Sequence, residues 1–325
     1  MWRVWIWMML AAAAPAEDER LADWRLERTI GLAATLHHVQ GIDVEGDWLW
    51  VSSVDAKRRR GYVSLFRLGE GRLVKQVEVQ EGERFHPGGI VVEGNWLWVP
   101  VAEYRRASTT TVQRRDKRTL ALVGSFTVAD HIGCVAAGAD FLVGGNWDSR
   151  VLYMWGFDGR ELGRRENPGK TSYQDMKLVD GVLLGAGNVS REQGAIEWRR
   201  WPTLELERRV VAGRTDRGVL YTHEGMTLRG GRLYLLPEDD PSRLFVFRAP
   251  DEAGGRAGSS LEAVVAPNER RQAGGQVLLV GILNEEVRAA AVELDEHRRF
   301  PFAPGVGSER VTDDEKADRR IRRER

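Results

Sequence analysis

The sequence predicts an all-β fold, a β-propeller of five four-stranded blades closed by an N-terminal strand, and three observations support it. Five segments share one gapless pattern, HVQGIDVEGDWLWV, HPGGIVVEGNWLWV, HIGCVAAGADFLVG, SYQDMKLVDGVLLG and THEGMTLRGGRLYL, anchored at Gly41, Gly89, Cys134, Asp175 and Gly225. The anchors lie 48, 45, 41 and 50 residues apart, a period at which each unit must bury its apolar faces on its neighbours. Inside each unit the residues read as short strands separated by turns, and the 3.6-residue period of a helical solenoid is missing.

The chain begins with MWRVWIWMMLAAAAPA, which has a basic Arg3, an apolar run from Val4 to Ala14, and small residues Ala14 and Ala16 before Glu17. That arrangement reads as a signal peptide over residues 1–16. Its apolar run is shorter than the roughly 20 residues of a membrane span. The expectation is therefore a secreted or periplasmic protein with no membrane span after cleavage. Cys134 is the one cysteine, so no intrachain disulfide can form, and stability must come from a core that roughly 300 residues can supply. Lysine plus arginine total 48, as do aspartate plus glutamate. This balance removes the basic footprint of a nucleic-acid binder, and a monomer is expected.

The propeller is placed at residues 17–249. Trp24 to Leu32 precedes the first unit as an unpaired strand, and it is expected to supply the outer strand of the last blade, hiding two sheet edges at once. Each unit then has an inner strand at its anchor and a turn, as at Glu45-Gly46-Asp47 or Glu93-Gly94-Asn95. A Trp-Leu-Trp-Val strand follows in the first two units. Third strands are read at Tyr62 to Arg67, Val151 to Trp155 and Leu244 to Phe247, and a more polar fourth at Leu73 to Val79. Trp48, Trp50, Trp96 and Trp98 are read as core, one of each pair on each neighbouring blade.

Six blades are the alternative, because Gly275 lies 50 residues after Gly225 and Gln276 to Leu283 is a candidate inner strand. Residues 250–325 form an Ala/Gly/Arg-rich C-terminal extension without Trp or Tyr. Its charged end is expected to be disordered, and Glu285 to Glu296 suits an amphipathic helix.

Three residues before the anchors stand His38, His86, His131, Ser172 and Thr222, with His223 next to the last. Fourteen after them stand Asp55, Glu103, Asp148, Val189 and Asp239. Entry loops and second-to-third-strand loops of a propeller meet at one mouth of its channel, so these positions should converge. His38, Gln40, His86, His131 and His223 are the expected ligand-binding residues, with Trp147 able to stack on a sugar or another flat molecule. Asp55, Glu103, Asp148 and Asp239, together with Arg105, Arg150, Arg191 and Arg243, are read as a structural ring tying loops together. Gln174, Asp175, Asn188 and Glu224 form an oxygen set for a divalent cation. Calcium would take these oxygens, and zinc would take the histidines. No catalytic residue is singled out, since a Gly-x-Ser-x-Gly elbow, a His-x-x-x-His pair and a phosphate-binding glycine loop are all missing.

The units HPGGIVVEGNWLWV and NWDSRVLYMW resemble the secreted propellers of the gluconolactonase, senescence-marker and strictosidine-synthase-like superfamily, and more closely an uncharacterised family of exported bacterial propellers. The resemblance spans residues 24–249. It implies a calcium in the channel held by Glu, Asn and Asp from separate blades, with Glu224, Asn188 and Asp175 as counterparts by location, and usually six blades.

Two functions follow as expectations. The first is an exported binding module that holds a small polar or carbohydrate-like ligand, or a protein partner, at the mouth. The second is a metal-assisted hydrolase of an ester, lactone or glycosidic bond, with calcium ahead of zinc as its cation.

Overall fold

The computed structural model describes residues 18–250, in which five antiparallel sheets are arranged as blades around one axis. Blade one contains strands His38–Glu45, Trp48–Asp55, Arg60–Arg67 and Arg72–Glu78. Blade two contains Arg84–Pro87 and Val91–Glu93, which share the inner position, then Trp96–Glu103, Thr110–Asp116 and Leu122–Val128. Blade three contains Ile132–Ala137, Phe141–Asn146, Val151–Gly156 and Glu161–Glu166. Blade four contains Ser172–Val179, Val182–Asn188, Gly194–Arg200 and Leu206–Ala212. Blade five takes Glu224–Arg229, Arg232–Pro237 and Arg243–Arg248 from the chain's end and completes itself with Arg25–Gly31. The signal peptide, the proposed sixth inner strand and the helix at Glu285 to Glu296 lie outside the described residues. Among the described residues, no helix is long and apolar enough to cross a membrane.

The closure reaches further than the sequence suggests. Glu19–Arg20 runs parallel to Leu206–Ala212 on the edge of blade four, and the next strand, Arg25–Gly31, pairs with blade five. Between them Leu21 and Trp24 are buried among residues of blades four and five, including Ile196, Val210 and Phe245. One short segment therefore staples two blades by backbone pairing and by apolar burial.

The core is divided into five apolar slabs, one at each blade junction. Leu49 and Val51 face blade five, whereas Trp50 and Trp48 pack with Val99 and Leu97 of blade two. Trp98 and Trp96 likewise pack against blade three. This corrects the expectation that each pair is divided between two neighbours: residues two apart on a strand share a face, so both tryptophans go forward and the leucine between them goes back.

At the axis the inner strands approach until the channel closes. A Cβ on Gly41 would stand 2.4 Å from the Gly89 Cα, and one on Gly88 only 2.0 Å from the Gly133 carbonyl oxygen. Glycine is required there because backbone meets backbone. Gly89 N–H donates to the Gly133 carbonyl at 2.9 Å, and Val135 N–H to the Gly89 carbonyl at 3.1 Å, joining blades two and three directly.

Candidate functional site

The mouth owes its geometry to β-bulges. Counting by twos from the anchor would put the residue three places earlier on the opposite face of the strand. The pairing register slips between Val39 and Gly41, between Ile132 and Cys134, and between Tyr173 and Asp175. The extra residue in each case, Gln40, Gly133 or Gln174, restores parity and turns the earlier side chain toward the axis. In blade two the slip falls between Arg84 and His86 instead.

His86 and His131 thereby meet, with ring centroids 5.4 Å apart. His86 stacks on Tyr104 at 4.2 Å and 13°, and His131 meets Trp147 edge-on at 4.4 Å. Arg106 lies over Trp147 at 5.8 Å. His86 is 8% exposed, and burial, with the nearby His131 and His38, lowers its pKa to about 3. Its buried Nδ1 has no hydrogen-bond partner. His131 is lowered too, chiefly by burial. Its Nδ1 faces the Arg105 carbonyl at 2.9 Å; a carbonyl only accepts, so Nδ1 carries the proton and Nε2 keeps a lone pair. Both rings are neutral near pH 7.

Beside this aromatic wall stand two imidazole–carboxylate pairs. His38 Nδ1 lies 2.8 Å from Glu238 Oε1, and His223 Nε2 lies 2.9 Å from Glu224 Oε1. Burial pulls His38 down, but the Glu238 hydrogen bond and the charges of Glu224 and Glu238 outweigh it and raise its pKa. His223 is raised mainly by its hydrogen bond to Glu224, and Glu238 is lowered mainly by its hydrogen bond with His38. One ligand atom each from His38, Glu224 and Glu238 lie within 4.8 Å of one another. The fields of Glu224 and Glu238 also reach Tyr104, which joins the two halves into one site.

The structure therefore brings together His38, His86, His131, Trp147 and His223. Gln40 is different, because it is a buried bulge residue whose Nε2 donates to the Val39 carbonyl at 3.0 Å. The oxygen set for calcium is not assembled as expected. Asp175 Oδ2 accepts from Ile42 N–H at 2.9 Å and Met226 N–H at 3.1 Å; Oδ1 accepts from Met176 N–H at 2.9 Å and Lys177 Nζ at 2.6 Å. These four donors use the lone pairs a cation would need, so Asp175 is the plug of the axis. Gln174 is the bulge beside it, and Asn188 pairs across from Ser172 at the mouth edge. Only Glu224 of that set joins a ligand cluster, in the company of His38 and Glu238.

The acids fourteen after the anchors are held by arginines. Asp55 accepts from Arg58 at 2.9 Å and Glu103 from Arg105 at 2.8 Å. Asp148 pairs with Arg106 of the preceding blade, and Asp239 accepts from Arg217 at 2.9 Å and Arg243 at 3.0 Å. Arg150 donates to the carbonyls of Gly169 and Thr171 in the strap leading to blade four. Arg191 contributes its carbonyl, to Arg214.

Sequence reasoning passed over Tyr104, Glu238, Asp43 and Lys177. Thirteen after the anchors the chain reads Val54, Ala102, Trp147, Asn188 and Glu238, and residues at this position pair across from those three before the anchors, as His38 with Val54 and His86 with Ala102. The irregular members of that ring were the signal for Glu238. Two after the anchors it reads Asp43, Val91, Ala136, Lys177 and Thr227, and the buried charges among them face the axis. Asp43 accepts from Val44 N–H at 2.8 Å, Val92 N–H at 2.7 Å, Thr227 Oγ1 at 2.8 Å and Arg229 at 3.0 Å, bonding blade one to blades two and five.

Fold and site together define a five-bladed β-propeller with an acceptor-rich, aromatic-walled mouth. Over residues 19–167, from the N-terminal staple through blade three, the chain is similar to the family of unknown function DUF6454. No curated protein matches. Among solved structures it is similar to the glutaminyl cyclase of Myxococcus xanthus, at 14% identity and a TM-score of 0.53, over 70% of this chain and 97% of that one. It is also similar to the Pan2 WD40 domain of Neurospora crassa, at 8% identity and a TM-score of 0.42, over 72% and 98% of the two chains. A third is hydrazine synthase of Kuenenia stuttgartiensis, at 11% identity and a TM-score of 0.40, over 64% and 65%. At 14% identity the likeness to the glutaminyl cyclase concerns the fold.

Proposed function

We propose that this propeller is an exported binding module whose mouth holds a small polar ligand rich in hydrogen-bond donors, a sugar or an amine. The observation that supports this reading is the inventory of the mouth: two neutral imidazoles and two carboxylates, all able to accept, beside the exposed Tyr104 and the half-buried Trp147. Among the described residues, Glu224 and Glu238 pair only with histidines and not with an arginine or lysine. A donor-rich or cationic ligand would satisfy these acceptors and stack on the rings.

Calorimetry with glucosamine, N-acetylglucosamine, and a dipeptide with free or acetylated N-terminus tests this, with a chelator present throughout. Free-amine probes are expected to bind more tightly than their acetylated forms, and Trp147→Ala and Glu238→Gln to weaken them at least tenfold. Failure of every probe to bind, or binding that survives both variants, overturns the proposal.

A second reading, hydrolysis of an ester, lactone or glycosidic bond, draws support from the His38–Glu238 and His223–Glu224 pairs. Hydrogen-bonded imidazole and carboxylate can pass a proton to or from a reacting group. The Myxococcus protein, a glutaminyl cyclase, is an enzyme of similar fold. That likeness makes enzymatic use of this mouth worth assaying without naming a reaction.

A further inference from the structure

We infer that His38, Glu224 and Glu238 form a site for one zinc-like divalent cation, with His223 as a positioning residue. Two observations support the site independently. The first is proximity: a nitrogen of His38 and oxygens of both glutamates lie within 4.8 Å of one another, so small side-chain rotations would bring all three to the roughly 2.0–2.2 Å that zinc requires.

The second is the contrast in partners among the acids of the mouth. Asp55, Glu103, Asp148 and Asp239 are each held by arginine. Glu224, with its side chain 4% exposed, and Glu238 have histidine alone. That matters most at Glu224, because burying a carboxylate is costly without a compensating positive charge, whereas Glu238 is 41% exposed. An arginine supplies that charge permanently; an imidazole can give up its proton and let a metal ion take its place.

The donor set decides the class of cation. One imidazole and two carboxylates suit zinc or another late first-row ion. Calcium prefers six to eight oxygens, and its expected set is disrupted because Asp175 is already fully bonded. His223 Nε2, 2.9 Å from Glu224 Oε1, would orient that carboxylate as outer-shell partners of metal ligands do. Three protein ligands leave a fourth tetrahedral position for water or a bound molecule. The side chains of His38 and Glu238 are 26% and 41% exposed, so that position would open to the mouth.

The test is a zinc titration of the untagged, metal-stripped full chain against a chromophoric chelator, with native mass spectrometry for stoichiometry. One zinc per chain is expected. Glu224→Gln, Glu238→Gln and His38→Asn should each weaken it at least tenfold, and His223→Ala by a smaller factor. Asp55→Asn, which alters an acid held by Arg58, should leave it unchanged. No zinc uptake, or uptake that survives the Glu224→Gln/Glu238→Gln double variant, overturns the site. Glu238 is partly exposed, so Glu238→Gln decides the matter even if a buried variant fails to fold. The proposed ligand site is assayed with chelator present, so the cation and ligand readings can fail separately.

Discussion

His86 shows how a repeat converts one residue type into several chemistries. Its imidazole is buried and stacked on Tyr104, while His38 and His223, placed by the same repeat, sit beside carboxylates and are raised. The consequences for stability have opposite signs. With His86 lowered to about 3 and an unfolded value near 6.5, the unfolded chain binds a proton between these limits that the native state refuses. Stability from this group is therefore fully present above pH 6.5 and is lost as pH falls, by about 1.4 kcal/mol per pH unit. The raised His38 and His223 contribute stability below pH 6.5 that fades as pH rises through their native values. Urea unfolding at pH 7 and pH 5 should show His86→Phe losing about 2 kcal/mol less on acidification than the parent chain. Equal losses in the two proteins would refute the assignment. Sequence placed the histidines at the mouth, yet it could not separate neutral from paired rings, because the partners of His86 and His38, Tyr104 and Glu238, follow the ends of other strands.

At the scale of elements, bulges and the N-terminal staple do what strand patterns alone do not. The closing strand before the first unit was legible because it had no partner of its own. The two-residue strand Glu19–Arg20 was not, since a parallel pairing with blade four leaves no hydrophobic period to read. Leu21 and Trp24 are 1% and 6% exposed, and Arg208 lies over Trp24 at 5.2 Å while bonding Glu19. Trp24→Ala should therefore cost about 3–5 kcal/mol, as large aromatic truncations in cores do. A urea midpoint shifted by an equivalent of less than about 1 kcal/mol would show that the staple is peripheral. The bulges also escaped detection, because an extra residue breaks register only when two strands are laid side by side. Gln174 was read in the sequence as a cation ligand; in the fold it is the bulge residue that lets Asp175 turn inward.

The five blades of the described residues form a closed ring, and closure gives the axis its own chemistry. Asp175 bonds the backbones of blades one and five from blade four, and Lys177 beside it donates to the Ile90 carbonyl of blade two at 3.0 Å. Burial raises the Asp175 pKa even with the ammonium adjacent. Asp175→Ala leaves Lys177, 1% exposed, without its counter-charge and should cost about 3–5 kcal/mol. Asp175→Asn combined with Lys177→Met should recover much of that loss, since replacing both members of a buried pair is far gentler than removing one. If Asp175→Ala unfolds within about 1 kcal/mol of the parent in urea, the axial plug is not a determinant of stability.

Local pattern by itself carried the repeat, the four-stranded unit, the closing strand and the ring positions of the histidines, with five blades ahead of six, because alternation, turn residues and a recurring period can be read along the chain; the structure decided for five. Only the tertiary structure decided which charges are partners. Asp175 is a plug, Glu224 joins His38 and Glu238 in place of the calcium-type set, and both tryptophans of each pair face forward. These outcomes depend on contacts between different blades, such as Asp175 with Ile42 and His38 with Glu238, where register, bulges and distance from the axis determine which lone pairs remain open.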